Sequence, residues 1–169
     1  GNDEDVICNR ALKAIWGNPT EETFPQIPDI VGLGVTRKSG LMLKELCSAG
    51  KPVKVRVAAV ADRKWQKVCQ PWGVLRGNGR SEEFLLVSSH LDAWEPGVTC
   101  NATGNGLTLE LCRVLAEQRE TLDRDVWFTF WNGHEIAEAA GSTWFLDHHW
   151  SDLNKRCISY THIDSPGLR

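Results

Sequence analysis

His90 and Asp92 stand two residues apart in Ser88-Ser89-His90-Leu91-Asp92-Ala93-Trp94, directly after the apolar run Phe84-Leu85-Leu86-Val87. Imidazole is the commonest protein metal ligand, and a nearby carboxylate either ligates the same ion or orients the ring. The pair suits acid–base chemistry as well. Two other places carry comparable groups. His134-Glu135 follows Phe128-Thr129-Phe130-Trp131, and Asp164 follows the strand-like stretch 157–163. Each lies just past a strand pattern, where α/β proteins place reactive side chains.

The elements that must position these groups read as an alternation. Residues 84–89, 125–131 and 157–163 are strand patterns rich in β-branched and aromatic residues. A helix is expected over 104–118, with Leu107, Leu109, Leu111, Cys112, Val114 and Leu115 apolar, and another from Gly141 to about Trp150. Strand, helix, strand, helix, strand implies a mostly parallel sheet with helices on both faces. All three strands then run the same way, and their C-terminal ends share one edge. That edge gathers His90, Asp92, His134, Glu135 and Asp164 from three separate stretches of chain.

The half before residue 80 is less regular. It reads as a short helix over 4–17, a Pro-rich stretch over 18–28, and a strand over 30–35. A helix over 36–47 follows, with Ser39 as its cap, then an alternating strand over 53–57, a weaker strand over 68–76 and a turn over 77–81. His148 and His149 are expected on a helix surface and His162 inside a strand.

Bulk properties narrow the classes. The 169 residues are 41% hydrophobic and 24% charged, with a net charge of −3. That composition suits a globular chain. Without a Lys/Arg block, no nucleic-acid partner is expected. No transmembrane span or signal peptide is visible. Six Cys lack any CxxC spacing, which excludes a zinc ribbon, and Cys112 and Cys157 read as buried thiols. The chain opens on Gly1 among charges and ends in a turn-like stretch, so it is expected to be a piece of a longer protein, with compartment and oligomeric state unassigned.

The order and spacing of Ser89-His90-Leu91-Asp92-Ala93-Trp94, Asn101-Ala102-Thr103-Gly104-Asn105, Phe128-Thr129-Phe130-Trp131, Gly141-Ser142-Thr143 and Ile163-Asp164-Ser165 resemble the co-catalytic zinc aminopeptidase and glutamate carboxypeptidase family. Members of that family often carry an inserted protease-associated domain. The resemblance implies a zinc exopeptidase-like α/β domain, incomplete here, over residues 63–169. It further implies that residues 1–62 form the C-terminal part of a smaller, β-rich protease-associated-like domain. It places His90 on a zinc ligand, Asp92 on the aspartate that orients that ring, and Asp164 on a further ligand.

Two positions depart from the pattern. The carboxylate that bridges two zincs in the family is Cys100 here, and the family's Glu-Glu pair, a general base and then a ligand, is His134-Glu135. A bridging carboxylate gives one oxygen to each of two ions, roughly 3.5–4 Å apart. A thiolate can bridge zinc as well, but its longer bonds of about 2.3 Å change the geometry. Histidine can serve as base or become a ligand. The set that the resemblance implies is His90, Cys100, Glu135 and Asp164 as metal ligands, with His134, Asp92 and Glu135 as catalytic groups, His134 being an alternative ligand and Cys100 alternatively an inert thiol. The family's last zinc ligand is a His beyond Arg169, so this piece alone is expected to bind metal weakly and to be inactive.

The expected activity of the complete protein is that of a zinc-dependent metallopeptidase, an aminopeptidase-like hydrolase acting on peptide or acyl-amino-acid substrates, with one or two zinc ions. Trp94 and Trp131 are expected to wall its substrate pocket. The alternative is a catalytically degenerate homologue serving as a binding or interaction module. A third reading takes His134-Glu135-Ile136-Ala137-Glu138 as a variant of the helical HExxH zinc motif, but its fourth position is Glu138 rather than His.

Overall fold

The computed structural model of the chain describes residues 5–7, 18–60, 62, 64–135 and 139–167. Its centre is a four-stranded sheet. Strand β1 is Trp72–Leu75, β2 Phe84–His90, β3 Asp125–Trp131 and β4 Cys157–Ile163, in the spatial order β1-β3-β2-β4. Strand β2 lies parallel to β3 on one side and to β4 on the other, whereas β1 runs antiparallel to β3. The mostly parallel sheet expected from the sequence is present, with one antiparallel edge strand. The expected strand over 68–76 shrinks to the four residues that pair.

Two helices cover the sheet, α2 at Thr103–Glu117 and α3 at Ala140–Arg156. Strand residues alternate between faces. Val87, Val126 and Phe128 therefore pack with Leu111, Cys112 and Leu115 of α2. Phe84, Leu86, Trp127 and Trp131 pack with Phe145 and Leu153 of α3. The Phe84 and Trp127 rings stack with centroids 4.1 Å apart. Each large side chain buried this way contributes roughly 1.5–3 kcal/mol, so the two layers fix the sheet between the helices. Helix α3 runs past its expected end at Trp150 to Arg156, where Lys155 and Arg156 complement the C-terminal end of the helix dipole.

The connections explain where the site lies. The chain leaves β2 for the α2 face and β3 for the α3 face. Loops that part to opposite faces open a crevice beyond the C-terminal ends of adjacent strands.

Several expectations for the first half are corrected. Residues 30–35 and 53–57 form no strand, and Ile30 and Val55 are 84% and 68% exposed. A strand needs a neighbouring main chain to close its ladder, and none among the described residues pairs with these. The helix α1 spans Arg37–Ser48, and its cap is Thr36, whose hydroxyl accepts the Ser39 backbone N–H at 3.2 Å. Ser39 lies inside the first turn. Most of the expected helix over 4–17 lies outside the described residues. Among those described, no helix is long and apolar enough to cross a membrane. Cys112 and Cys157, read as buried thiols, are free thiols partly buried against the two core layers.

Candidate metal centre

The last residues of β2 invert the logic of its first ones. Ser88, Ser89 and His90 are fully buried, although they continue a strand that opens on Phe84 and Leu86. Buried polar side chains need partners, and these partners build the site. Ser89 Oγ donates to Asn105 Oδ1 of α2 at 2.6 Å. Ser88 Oγ sits 2.9 Å from Tyr160 OH and 2.7 Å from His162 Nδ1, both on β4. Trp131 Nε1 donates to the same Tyr160 hydroxyl at 3.1 Å.

His90 is held at both ring nitrogens. Its Nδ1 faces the backbone carbonyl of Asp92 at 2.8 Å, and its Nε2 lies 3.1 Å from Asp164 Oδ1 and 3.4 Å from Cys100 Sγ. A carbonyl only accepts, so Nδ1 carries a proton, while Nε2 faces the Asp164 carboxylate and the Cys100 sulfur. Asp92 thus meets the ring through its main chain. Its carboxylate does something else: Oδ1 and Oδ2 accept the backbone N–H groups of His134 and Glu135, each at 2.9 Å. This clamp ties the turn after β3 to the end of β2.

The remaining groups close around His90. Cys100 Sγ donates to Glu135 Oε1 at 3.3 Å and lies 3.8 Å from Asp164 Oδ1. Trp94 Nε1 donates to the other Glu135 oxygen at 2.6 Å. The His134 ring stacks on His90, with centroids 4.5 Å apart and planes at 18°, and its Nε2 is 3.9 Å from Asp164 Oδ2. His162 follows behind it, with ring centroids 5.4 Å apart. Asn101 anchors the far side: Nδ2 donates to the Ile163 carbonyl at 2.8 Å, and Oδ1 accepts the Ser165 N–H at 3.0 Å. A cis peptide joins Cys100 to Asn101.

Burial sets the charge states. It pushes the Cys100 thiol up, and the carboxylates of Glu135 and Asp164 add to that. It pulls the His134 ring down, helped by His90, and the His162 ring down, helped by His134. Burial alone would raise Asp164, but bonds from the Ser165 hydroxyl and His90 outweigh it and leave the carboxyl below its usual range.

The donor atoms fit zinc. Zinc bonds of about 2.0–2.3 Å at tetrahedral angles put neighbouring ligand atoms roughly 3.3–3.8 Å apart. His90 Nε2, Cys100 Sγ and Asp164 Oδ1 lie 3.1 to 3.8 Å from one another, and Glu135 Oε1 lies 3.3 Å from the sulfur in a metal-spacing group with His90 and Cys100. A nitrogen, a sulfur and carboxylate oxygens suit a borderline-soft ion, not magnesium or calcium. His90 also groups with His134 and Asp164 at metal-binding spacing.

Every candidate from the sequence thus reaches this one edge. The sequence reading missed the Trp94–Glu135 bond and the Asn101 anchor, although both residues belong to the matched motifs. It also placed His149 on the surface, yet that ring packs against Trp72, Phe145 and Trp127 at 5.0, 4.3 and 5.7 Å. Trp131 is 3% exposed and lines a cavity of about 660 Å³ between α3 and β4 with Leu86, Leu146 and Trp150. His134 and Glu135 stand in a turn, and the rest of the HExxH-like segment, 136–138, lies outside the described residues.

The model of peptidase family M28 matches residues 72–167, more than half of the chain. A probable glutamate carboxypeptidase VP8 of Zea mays is 23% identical over 116 residues, covering 67% of this chain and 16% of that protein. Transferrin receptor protein 1 of Gallus gallus is 24% identical over 120 residues, covering 69% and 15%. Aminopeptidase NAALADL1 of Rattus norvegicus is 26% identical over 99 residues, covering 54% and 13%. The chain therefore spans about a sixth or less of these relatives. Among solved structures, Legionella LapA shares the fold with a TM-score of 0.51 at 19% identity, over 59% of this chain and 28% of that one.

Proposed function

The chain belongs to peptidase family M28, and on that premise we propose that it carries the metal-holding part of a zinc-dependent, exopeptidase-like hydrolytic centre. Family membership supports a peptidase function. The observation that carries the finer reading is the convergence of His90 Nε2, Cys100 Sγ, Glu135 Oε1 and Asp164 Oδ1 at one strand edge. Peptides or acyl-amino acids are the proposed substrates of the whole protein.

In this reading His90, Cys100 and Asp164 hold zinc, and Glu135 joins them as ligand or proton carrier. Zinc there supplies Lewis acidity, polarising a carbonyl and lowering the pKa of a water toward about 7. The chain's own residues do the rest. Asp92 orients the His90 ring through its carbonyl and holds the 134–135 turn through its carboxylate. Trp94 fixes one Glu135 oxygen and leaves the other toward Cys100. His134, kept neutral near pH 7 by burial and by His90, can take a proton at Nε2 and return it to the leaving amine.

The match to residues 72–167 supports assigning 63–169 to the peptidase-like domain. We assign residues 1–62 to a protease-associated-like unit that precedes it.

A second reading has support of its own. Cys100 and His134 replace carboxylates of the resembled family, and some relatives are named as receptors. A module that kept the fold for binding alone would show no stoichiometric zinc and no hydrolysis. Metal analysis and hydrolysis assays on the full-length protein and its His90→Ala and Asp164→Ala variants separate the two. The proposed function expects zinc and turnover in the parent protein, and loss of both in the variants.

A further inference from the structure

The connection that carries His134 and Glu135 leaves β3 at Asn132 and enters α3 at Ala140. Two main-chain bonds close its base. Ala139 N–H donates to the His134 carbonyl at 3.2 Å, and Ala140 N–H donates to the Gly133 carbonyl at 3.1 Å. Gly133 has φ +74°, a left-handed conformation that glycine adopts at little cost. His134 and Glu135 therefore follow wherever this base is placed.

Residues from much earlier in the chain hold the base at both ends. Asn132 Nδ2 donates to the Cys69 carbonyl at 2.8 Å, and the Asn132 main-chain N–H donates to Gln70 Oε1 at 3.4 Å. Asn132 Oδ1 accepts the Gly133 N–H at 2.9 Å. One side chain thus joins the turn to the segment that leads into β1. Gln70 Oε1 fits there because residue 141 is glycine: a Cβ on Gly141 would lie 2.0 Å from that oxygen and 2.3 Å from the Asn132 carbonyl oxygen. At the α3 end, Asn18 Nδ2 donates to the Ala140 carbonyl at 2.8 Å.

The sheet order gives these bonds their meaning. Strand β3 lies between β1 and β2. From the β2 side, the Asp92 carboxylate takes the N–H groups of His134 and Glu135. From the β1 side, the hold comes from Cys69 and Gln70 through Asn132. A turn clamped on one side can pivot about that clamp, whereas holds on opposite sides fix it.

We propose that Asn132 is a positioning residue for His134 and Glu135, and that the chain preceding β1 acts on the site through it. The inference rests on the reading of His134 and Glu135 as working groups of a hydrolytic centre. Placement of such groups to within a fraction of an ångström governs rate, so a distant segment that sets their position also sets turnover.

The test is hydrogen exchange in the metal-free full-length protein, read on the peptide containing residues 133–135. Asn132→Asp keeps an oxygen for the Gly133 N–H and turns the donor to Cys69 into an acceptor facing a carbonyl. Gln70→Leu removes the acceptor of the Asn132 N–H at similar bulk. Each variant should exchange about fivefold faster or more at 133–135, the equivalent of one net hydrogen bond. The β2 and β3 peptides and the urea midpoint should stay close to the parent values. For hydrolysis, kcat should fall roughly 10–100-fold with KM little changed. Unchanged exchange in either variant, equal acceleration across the whole sheet, or unchanged kcat in an active protein overturns the proposal. A parent protein that hydrolyses nothing, with protection lost locally in both variants, upholds the positioning and overturns the proposed function instead.

Discussion

The Asp92 carboxylate accepts the Glu135 backbone N–H at Oδ2, 2.9 Å away, while Oδ1 accepts that of His134. One side chain at the end of β2 thereby fixes two candidate site residues at the end of β3. Asp92→Asn presents one oxygen and one amide to two N–H donors, so one bond is lost and a donor faces a donor. The expected cost is about 1–3 kcal/mol, read as a lower urea midpoint. A change well under that range would mean the turn is held by other contacts.

Trp94 acts on the metal site through Glu135. Its indole N–H holds Glu135 Oε2 at 2.6 Å, and residues that orient a ligand commonly contribute 10–100-fold, as an approximate range, in metal affinity. Trp94→Phe keeps a ring of similar shape and removes the donor. Zinc affinity should fall by roughly that factor while the thermal midpoint stays close to the parent value. Unchanged affinity would contradict the role.

The first turn of helix α2 packs directly against the Asn101 side chain. A Cβ on Gly104 would lie 2.2 Å from Asn101 Oδ1, and that oxygen receives the Ser165 N–H beside Asp164. Gly104→Ala must therefore displace the Asn101 side chain or the helix. Overpacking of this kind costs about 1–3 kcal/mol. Denaturant unfolding should show that loss, and metal affinity should fall with it. A variant with parent stability would show that Asn101 can move freely.

Acid should weaken the metal-free fold in two stages. Burial, then His90, lowers the His134 ring, and burial, then His134, lowers His162. In the unfolded chain both titrate near about 6.5. Just below that pH the unfolded chain binds more protons, so stability falls as pH falls. Asp164, lowered overall by Ser165 and His90 against the effect of burial, contributes stability present above about pH 4 and lost below it. Urea midpoints should drop between about pH 7 and 5, and His162→Asn should flatten that first stage. A midpoint that holds or rises over this range contradicts the assignment.

The sheet was legible because β2 and β3 are covered on both faces, and a strand between two apolar layers needs an unbroken apolar run. Residues 30–35 and 53–57 carry strand-like patterns too, but pairing requires a partner that local sequence does not contain. The direction of β1 is a matter of topology and leaves no mark in its four residues. At the site, strand-end position sufficed to gather His90, Asp92, His134, Glu135 and Asp164, whereas Cys100, in the segment before α2, came only from the family resemblance. It did not reveal that Asp92 meets His90 through a carbonyl, because which atom of a residue reaches its neighbour depends on loop conformation. His148 and His149 illustrate the same point on a helix: α3's rotation against the sheet sends the His149 ring toward Trp72 and Trp127, and only packing sets that rotation.

The central claim is that these residues form a metal-dependent hydrolytic centre. Its most direct test is hydrolysis of aminoacyl and acyl-amino-acid substrates by the full-length protein before chelation, after chelation and after zinc is restored. The account expects turnover that disappears with the metal and returns with it. Metal-replete, folded protein that hydrolyses none of these substrates would contradict it.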